Sequence, residues 1–456
     1  MPIDLSPLRE RFGGVLTTTK DPAYERERVL FNTRVRRRPA VLARCASTED
    51  VALAVRFALD SRMPLSVRGG GHHACGFSLA EDGLVVDTGG LRGVSFDPAT
   101  STAWAGAGAG WRVIDAATGP AGLHGPGGDC PTVSNAGYSL GGGYGLLSRT
   151  FGLGCDHIEA AELVDASGKV LSVTADEHPD LLWALRGAGG AGFGVVTRLR
   201  YRLDPVPATV LGGVIAWPLD QAESVFRLYR DLYTAGGADE RLSLYALLTT
   251  EPYPDGDPVI VLYGLYVGPV ADGEAALAPV RGHGTTLFDA FGPMSYLDLQ
   301  TALGEEIVYG LQLSWRSGYF RDGGFAEDAF ATMVDAFRRA PSGYSMARFD
   351  LLGGGAIARV PNDATAFAHR DALFHLSAIS LWEHDDATAA NVAWAERLKA
   401  DLAPHLSGEA YPNYADEDLP DWAAAYYGAN YARLQEVKRR YDPDDVFHHP
   451  QSVRLP

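Results

Sequence analysis

Residues 64–78 read PLSVRGGGHHACGFS: a short apolar run enters three consecutive glycines, and two histidines follow at once. Three glycines in a row do not belong inside a helix or a strand, so the chain must form a loop here. Glycine also leaves the backbone N–H groups unobstructed, and several such groups in succession make a concave anion site. Gly69, Gly70 and Gly71 suit that task. A tight turn alone accounts for one or two of them, less easily for three. A second triplet, Gly141, Gly142 and Gly143, lies in PGGDCPTVSNAGYSLGGGYGLLSRTFGLGCD, residues 126–156.

The first loop leaves a strand–helix–strand pattern. AVLARCAS is short and apolar. STEDVALAVRFALDSRM opens on a capping Ser47 or Thr48, carries acids in its first turn and repeats apolar residues at helical spacing. GLVVDTGG and TAWAGAGAGW read as short strands. IEAAELVDASGKVLSV is predicted as a hairpin about Ser-Gly, DEHPDLLWALRG as a helix with Pro179 in its first turn, and FGVVTRLRYRL as a strand. Two prolines in DPVPATV, 204–210, mark a boundary. Beyond it come the aromatic strand candidates GGVIAWPL, LSLYALLTT, VIVLYGLYVG, GLQLSWRSGYF, YSMARFDLLGGGA and HLSAISLWEH. Helical patterns such as QAESVFRLYRDLYTA and AEDAFATMVDAFRRA lie between them. The last segment, DWAAAYYGANYARLQEVKRRYDPDDVF, reads as one helix stopped by Pro443. At 456 residues the chain exceeds one ordinary core. The pattern predicts an α+β protein: one domain over 1–205, a second with an antiparallel sheet covered by helices over 206–408, and a C-terminal segment, 409–456.

The net charge of −18 repels nucleic acid phosphates and anionic membranes, so neither is expected as a partner. No run reaches the ~18 apolar residues of a membrane span. The N-terminus does not read as a secretory signal, and four cysteines are too few for a disulfide scaffold, so a cytoplasmic location is expected.

Three motifs mislead. GAGGAG, 187–192, fits G-x-G-x-x-G, but a helix precedes it and a strand follows, the reverse of a dinucleotide site. GYSLG, 137–141, fits the nucleophile elbow with Ser139 as nucleophile, but its flanks make a poor strand and a poor helix start. His72 and His73 are adjacent and lack further ligands at metal spacing, so no metal site is expected.

Taken together, RGGGHHACGFS, the 126–156 segment, DLLWALRGAGGAGFGVVT, YPNYADEDL and YYGANYARLQEVKRRYDPDDVF resemble the berberine-bridge-enzyme-like branch of the vanillyl-alcohol-oxidase (PCMH-type) flavoproteins. The resemblance covers nearly the whole chain, with the motifs in the family's order. It implies a PCMH-type FAD domain, a substrate domain, and a C-terminal segment returning to the first. It implies FAD bonded to His72 through the flavin 8α-methyl. Because DCPTV matches the bicovalent subgroup, it also implies a second bond from Cys130 to flavin C6. Arg68, Gly69, Gly70, Gly71, His73, Val133, Gly137, Gly141, Gly142, Gly143, Gly194, Val195 and Asn413 would contact the cofactor. Cys45, Cys75 and Cys155 lack this context and read as core or loop residues. One departure is Gly192, where the family often has Asn before Phe-Gly.

The activity implied is removal of hydride from an alcohol or activated C–H of a small molecule, sugar-like or from secondary metabolism. Molecular oxygen would reoxidise the flavin and yield hydrogen peroxide, with Val133 to Tyr138 near the flavin. Oxidative cyclisation is the alternative outcome on the same cofactor; a serine hydrolase through Ser139 is the distant one. Tyr414, and beside it Tyr411, are the candidate catalytic residues. A free tyrosine has a pKa near ~10, so a base role needs a perturbing neighbour: the positive end of a dipole, Arg316 or Arg348. Tyr245, Tyr263, Trp315, Tyr319, Asp350 and His375 are candidate pocket residues, of which strand alternation should turn only some toward the ligand.

Overall fold

The computed structural model describes residues 4–234, 237–252, 254–321 and 326–456. The first sheet takes Val15–Thr18, Val41–Arg44, Leu84–Asp87 and Leu65–Arg68 in that spatial order, the last three parallel. Parallel neighbours need a crossover, and the helix Thr48–Asp60 carries the chain toward Leu65–Arg68. Ser47 caps it by accepting from the Asp50 N–H at 3.2 Å, and Val51, Ala54, Val55 and Ala58 face the sheet. The strand Leu65–Arg68 is an edge strand, so the chain leaves it directly into the glycines.

The second sheet is antiparallel, in the order Val94–Asp97, Thr102–Gly106, Val195–Arg202, Ile158–Val164 and Val170–Val173. The hairpin about Ser-Gly is its outer pair. Pro179 opens the helix Pro179–Ala188, where its missing N–H costs nothing.

The third sheet joins all six aromatic strands: Val210–Pro218, Asp257–Tyr266, Leu242–Glu251, Met346–Leu351, Phe374–Trp382 and Gln312–Tyr319, in that spatial order and antiparallel throughout. Its two faces have separate duties. Leu244, Ala246, Leu248, Ile260 and Leu262 pack under the helices Ala222–Thr234, Glu327–Phe337 and Thr388–Asp401. The helix Ala222–Thr234 buries Ala222, Val225, Phe226, Tyr229 and Tyr233, an apolar stripe at helical spacing. It was expected to run through residue 235, which lies outside the described residues. The other face turns Tyr245, Val261, Tyr263 and Tyr319 toward Tyr144, Leu147, Phe367 and Tyr411.

The C-terminal segment differs from the single helix expected. It forms two, Trp422–Tyr427 and Tyr431–Tyr441, because Gly428 adopts φ +48° between them. Leu434, Val437 and Tyr441 share a core with Leu181, Leu185 and Leu199 of the second sheet's layer. The sequence pattern also misses the helices Val270–Arg281 and Thr388–Asp401. The first holds Pro279, and the second, TAANVAWAERLKAD, scatters its apolar residues around the helix. Among the described residues no helix is long and apolar enough to cross a membrane.

Candidate active site

The two glycine-rich loops meet. A Cβ on Gly70 would lie 2.3 Å from the Thr132 carbonyl oxygen, so only glycine lets the first loop press against the second. The Gly70 N–H donates to Ser134 Oγ at 3.1 Å. No described residue accepts from the N–H groups of Gly69, Gly71, His72 or His73. Backbone donors without acceptors are rare in folded proteins. Four within five residues make an anion cradle, and the pyrophosphate of FAD fits this donor set.

His72 and His73 part company. His73 is packed against Phe77 at 4.8 Å, and its Nδ1 accepts from the Cys75 N–H at 3.2 Å. Burial lowers it to about 3. His72 stacks on Phe31 at 4.5 Å and places Nε2 2.7 Å from Thr132 Oγ1. The same hydroxyl lies 3.6 Å from Cys130 Sγ and donates to Tyr309 Oη at 3.2 Å. His72 and Cys130 thus share one hydrogen-bonded group. Thr132 stands inside the motif that singled out Cys130, whereas Phe31 and Tyr309 come from distant segments with no signal in the sequence.

Several expected cofactor contacts have other work. The Arg68 guanidinium is held by Asp87 Oδ2 and the Glu27 carbonyl, both at 2.6 Å, so it braces the loop and is not a free anion ligand. Val195 is a fully buried strand residue paired with Val164, and a Cβ on the preceding Gly194 would meet the Val164 carbonyl oxygen at 2.8 Å. A Cβ on Gly137 would lie 3.4 Å from Ser134 Oγ, and Val133 packs against the second core. The second glycine triplet seats the Tyr411–Tyr414 loop: a Cβ on Gly141 would overlap Asn413 Oδ1 at 2.0 Å, and the Gly143 N–H donates to Tyr411 Oη at 2.8 Å. Ser139 lies within the helix Asn135–Leu140, fully buried, with Tyr201 Oη donating to it at 3.0 Å; it forms no nucleophile elbow.

The third sheet aligns the pocket candidates. Tyr263, Tyr245, Asp350, His375 and Tyr319 stand directly opposite one another on five adjacent strands. Directly opposed residues point to one face, so all five turn the same way. Trp315, four residues before Tyr319, shares that face and stacks on Tyr414 at 4.1 Å. Tyr319 is core: it is fully buried, and its hydroxyl is 3.0 Å from that of Tyr144. Asp350, His375 and Trp315 carry polar atoms with no partner among the described residues. These are Asp350 Oδ2, both ring nitrogens of His375 and Trp315 Nε1, with Ser377 Oγ close by in the next row. Buried unpaired polar groups cost about 1–3 kcal/mol each, so a cluster of them marks a place where a ligand completes the bonding.

Arg348, two residues before Asp350, completes the site. It pairs with Asp350 Oδ1 at 3.0 Å, donates to Tyr263 Oη at 2.7 Å and lies over the Tyr245 and Tyr263 rings. Burial raises the Asp350 carboxyl, and Arg348 opposes the shift. Burial, with Arg348 next, pushes His375 well below its usual value, so its ring is neutral. The Tyr414 hydroxyl bonds no described residue. Burial raises it, and Arg348 pulls the other way less strongly, so Tyr414 keeps its proton and the lowering expected of a neighbouring arginine is outweighed. Arg316 points to the other face, toward Asp416, Asp418 and Glu396. Tyr411 is a post: its oxygen accepts from Gly143 and from Asn413 Nδ2, each at 2.8 Å.

Similarity to known proteins gives the class, an FAD-linked oxidoreductase. Residues 39–174 match the FAD binding domain, and residues 410–454 match the berberine and berberine-like domain. The FAD-linked oxidoreductase YgaK of Bacillus subtilis is 30% identical, over 98% of this chain and 98% of its own length. The (R)-6-hydroxynicotine oxidase of Paenarthrobacter nicotinovorans is 31% identical, over 95% of each. The solved structure of Physcomitrella patens BBE-like 1 superposes with a TM-score of 0.90 at 27% identity, covering 100% of both chains. The chain belongs to the berberine-bridge-enzyme-like, PCMH-type FAD-linked oxidoreductases.

Proposed function

We propose that this chain is an oxidase that removes hydride from an alcohol, or from an activated C–H, of a ring-bearing small molecule, with dioxygen as final acceptor and hydrogen peroxide as product. The FAD would be held by the Gly69, Gly71, His72 and His73 N–H groups and bonded to both His72 and Cys130. FAD supplies the hydride acceptor when bound. The observation that carries the reading is the row Tyr245, Asp350, His375 facing Tyr414, with polar atoms left unpaired on an otherwise aromatic wall.

Roles follow from protonation. Oxidising an alcohol removes hydride from carbon and a proton from oxygen. Asp350 Oδ2 is a buried acceptor with no donor, so it takes that proton, while Arg348 holds Oδ1 and orients the carboxylate. Tyr414 keeps its own proton, so its hydroxyl donates to the substrate oxygen and orients it. The Trp315–Tyr414 stack and the Tyr245 and Tyr263 rings grip a flat substrate. The name of the relative acting on 6-hydroxynicotine fits such a substrate. Peroxide release across a panel of ring-bearing alcohols and amines tests the reading. Flavin reduction that is not followed by peroxide release would make the chain a dehydrogenase.

A further inference from the structure

Thr132 Oγ1 touches three groups: His72 Nε2 at 2.7 Å, Cys130 Sγ at 3.6 Å and Tyr309 Oη at 3.2 Å. A hydroxyl has one proton and two lone pairs. The proton goes to Tyr309, which leaves both lone pairs to accept. His72 therefore carries its proton on Nε2, and Cys130 carries its own on Sγ. The lone pair of His72 then lies on Nδ1, which no described residue bonds. Phe31 stacks on the ring at 24° and fixes its plane. Burial lowers His72 to about 4, so the imidazole is neutral at pH 7 and Nδ1 is a nucleophile.

Attachment creates a proton to dispose of at each residue. At His72 a C–N bond to the flavin 8α carbon would form as a C–H bond breaks, and the neutral ring would become an imidazolium unless Nε2 released its proton. At Cys130 a C–S bond to flavin C6 replaces a C–H bond and the S–H bond. Each attachment removes two hydrogens, one from carbon and one from the side chain. They leave as two electrons and two protons, and dioxygen is the oxidant, reduced to hydrogen peroxide. In both cases the side-chain proton departs from an atom that faces Thr132 Oγ1. Tyr309 is 47% exposed, so the path opens on water.

We propose that Thr132, with Tyr309 as its outlet, is a positioning residue for both flavin bonds: it presents His72 Nδ1 and relays the His72 and Cys130 protons to solvent. The inference rests on the bicovalent reading above. The test compares the native holoprotein with Thr132→Val, Thr132→Ser and Tyr309→Phe, each produced with ample riboflavin and sampled over time by denaturing mass spectrometry and tryptic mapping. Native protein and Thr132→Ser should carry FAD on both peptides. Thr132→Val should retain FAD but attach it about a hundredfold more slowly at both residues, so that most flavin is released by acid precipitation. Tyr309→Phe should attach slowly near neutral pH and recover as the pH is raised. Thr132→Val attaching at the native rate overturns the proposal. Should Thr132→Val fail to fold, Tyr309→Phe decides through its exposed position, and a native rate with no pH dependence there overturns the relay. Native protein with FAD on His72 alone, or with no covalent FAD, sinks the bicovalent reading itself, an outcome distinct from normal attachment in the variants.

Discussion

Asp350→Asn isolates the proton transfer from the fold. Asp350 Oδ1 is occupied by Arg348, and only Oδ2 is free, so an amide of the same shape keeps the Arg348 contact and loses the base. General base catalysis is worth roughly 100- to 10,000-fold, which is about 3–5 kcal/mol at 1.36 kcal/mol per tenfold. The flavin reduction rate with an alcohol substrate should fall by that factor. Breaking a buried ion pair costs about 3–5 kcal/mol of stability. Arg348 still has Tyr263 Oη and two aromatic faces, so the loss should sit at the low end of that range. The pH profile separates the two effects. A base works only when deprotonated, so the native rate should fall as pH drops through the Asp350 value, which burial holds above the ordinary carboxylate range. Asp350→Asn should lose that acidic limb. Anaerobic stopped-flow bleaching of the flavin measures the rate without the oxygen step. A bleaching rate within about twofold of native, with the limb intact, would falsify the assignment of Asp350 as acceptor.

Three further outcomes are expected. Tyr414→Phe keeps the stack on Trp315 and should cost about 10- to 100-fold in flavin reduction, with the acidic limb retained; loss of the limb would move the base to Tyr414. Gly70→Ala places a Cβ against the Thr132 carbonyl oxygen, so the flavin-to-protein absorbance ratio should drop while circular dichroism stays native, and a native ratio refutes the close approach. Asp156 receives two bonds from the buried Arg370, at 2.7 and 2.8 Å; burial opposes them, but they hold its pKa below the ordinary value. The unfolded chain would then take up a proton before the folded one, so this stabilisation is present above about pH 4 and lost as pH falls through the depressed value. Asp156→Asn strands Arg370, should cost about 3–5 kcal/mol at neutral pH, and should flatten this acid dependence in denaturant titrations; an unchanged midpoint at both pH values would contradict it.

What the sequence showed and what it withheld divide along the range of the interactions. Alternation within a strand is local, so Gln312–Tyr319 already placed Trp315 and Tyr319 on one face and Arg316 on the other, and Met346–Leu351 placed Arg348 with Asp350. Parity does not say which face of each strand meets the ligand, so the choice between Arg316 and Arg348 is made only by the folded sheet. Register between strands is not local. That Asp350 stands opposite both Tyr245 and His375 depends on three strands separated by long connections, and nothing within any one of them fixes the pairing. The same limit governs the first loop. Three glycines announced a close approach but not its partner, and Gly70 proves to be glycine for the sake of the Thr132 carbonyl, while the anion site falls to its neighbours' N–H groups. A motif therefore names the residues that do chemistry more readily than those that hold them. His72 and Cys130 stand out in the sequence through the motifs around them, and the structure brings both to the Thr132 hydroxyl. Phe31, which stacks on the His72 ring, and Tyr309, which bonds the Thr132 hydroxyl, act through position alone, and position is set only when the loop before Val41–Arg44 and the loop before Gln312–Tyr319 are folded against each other.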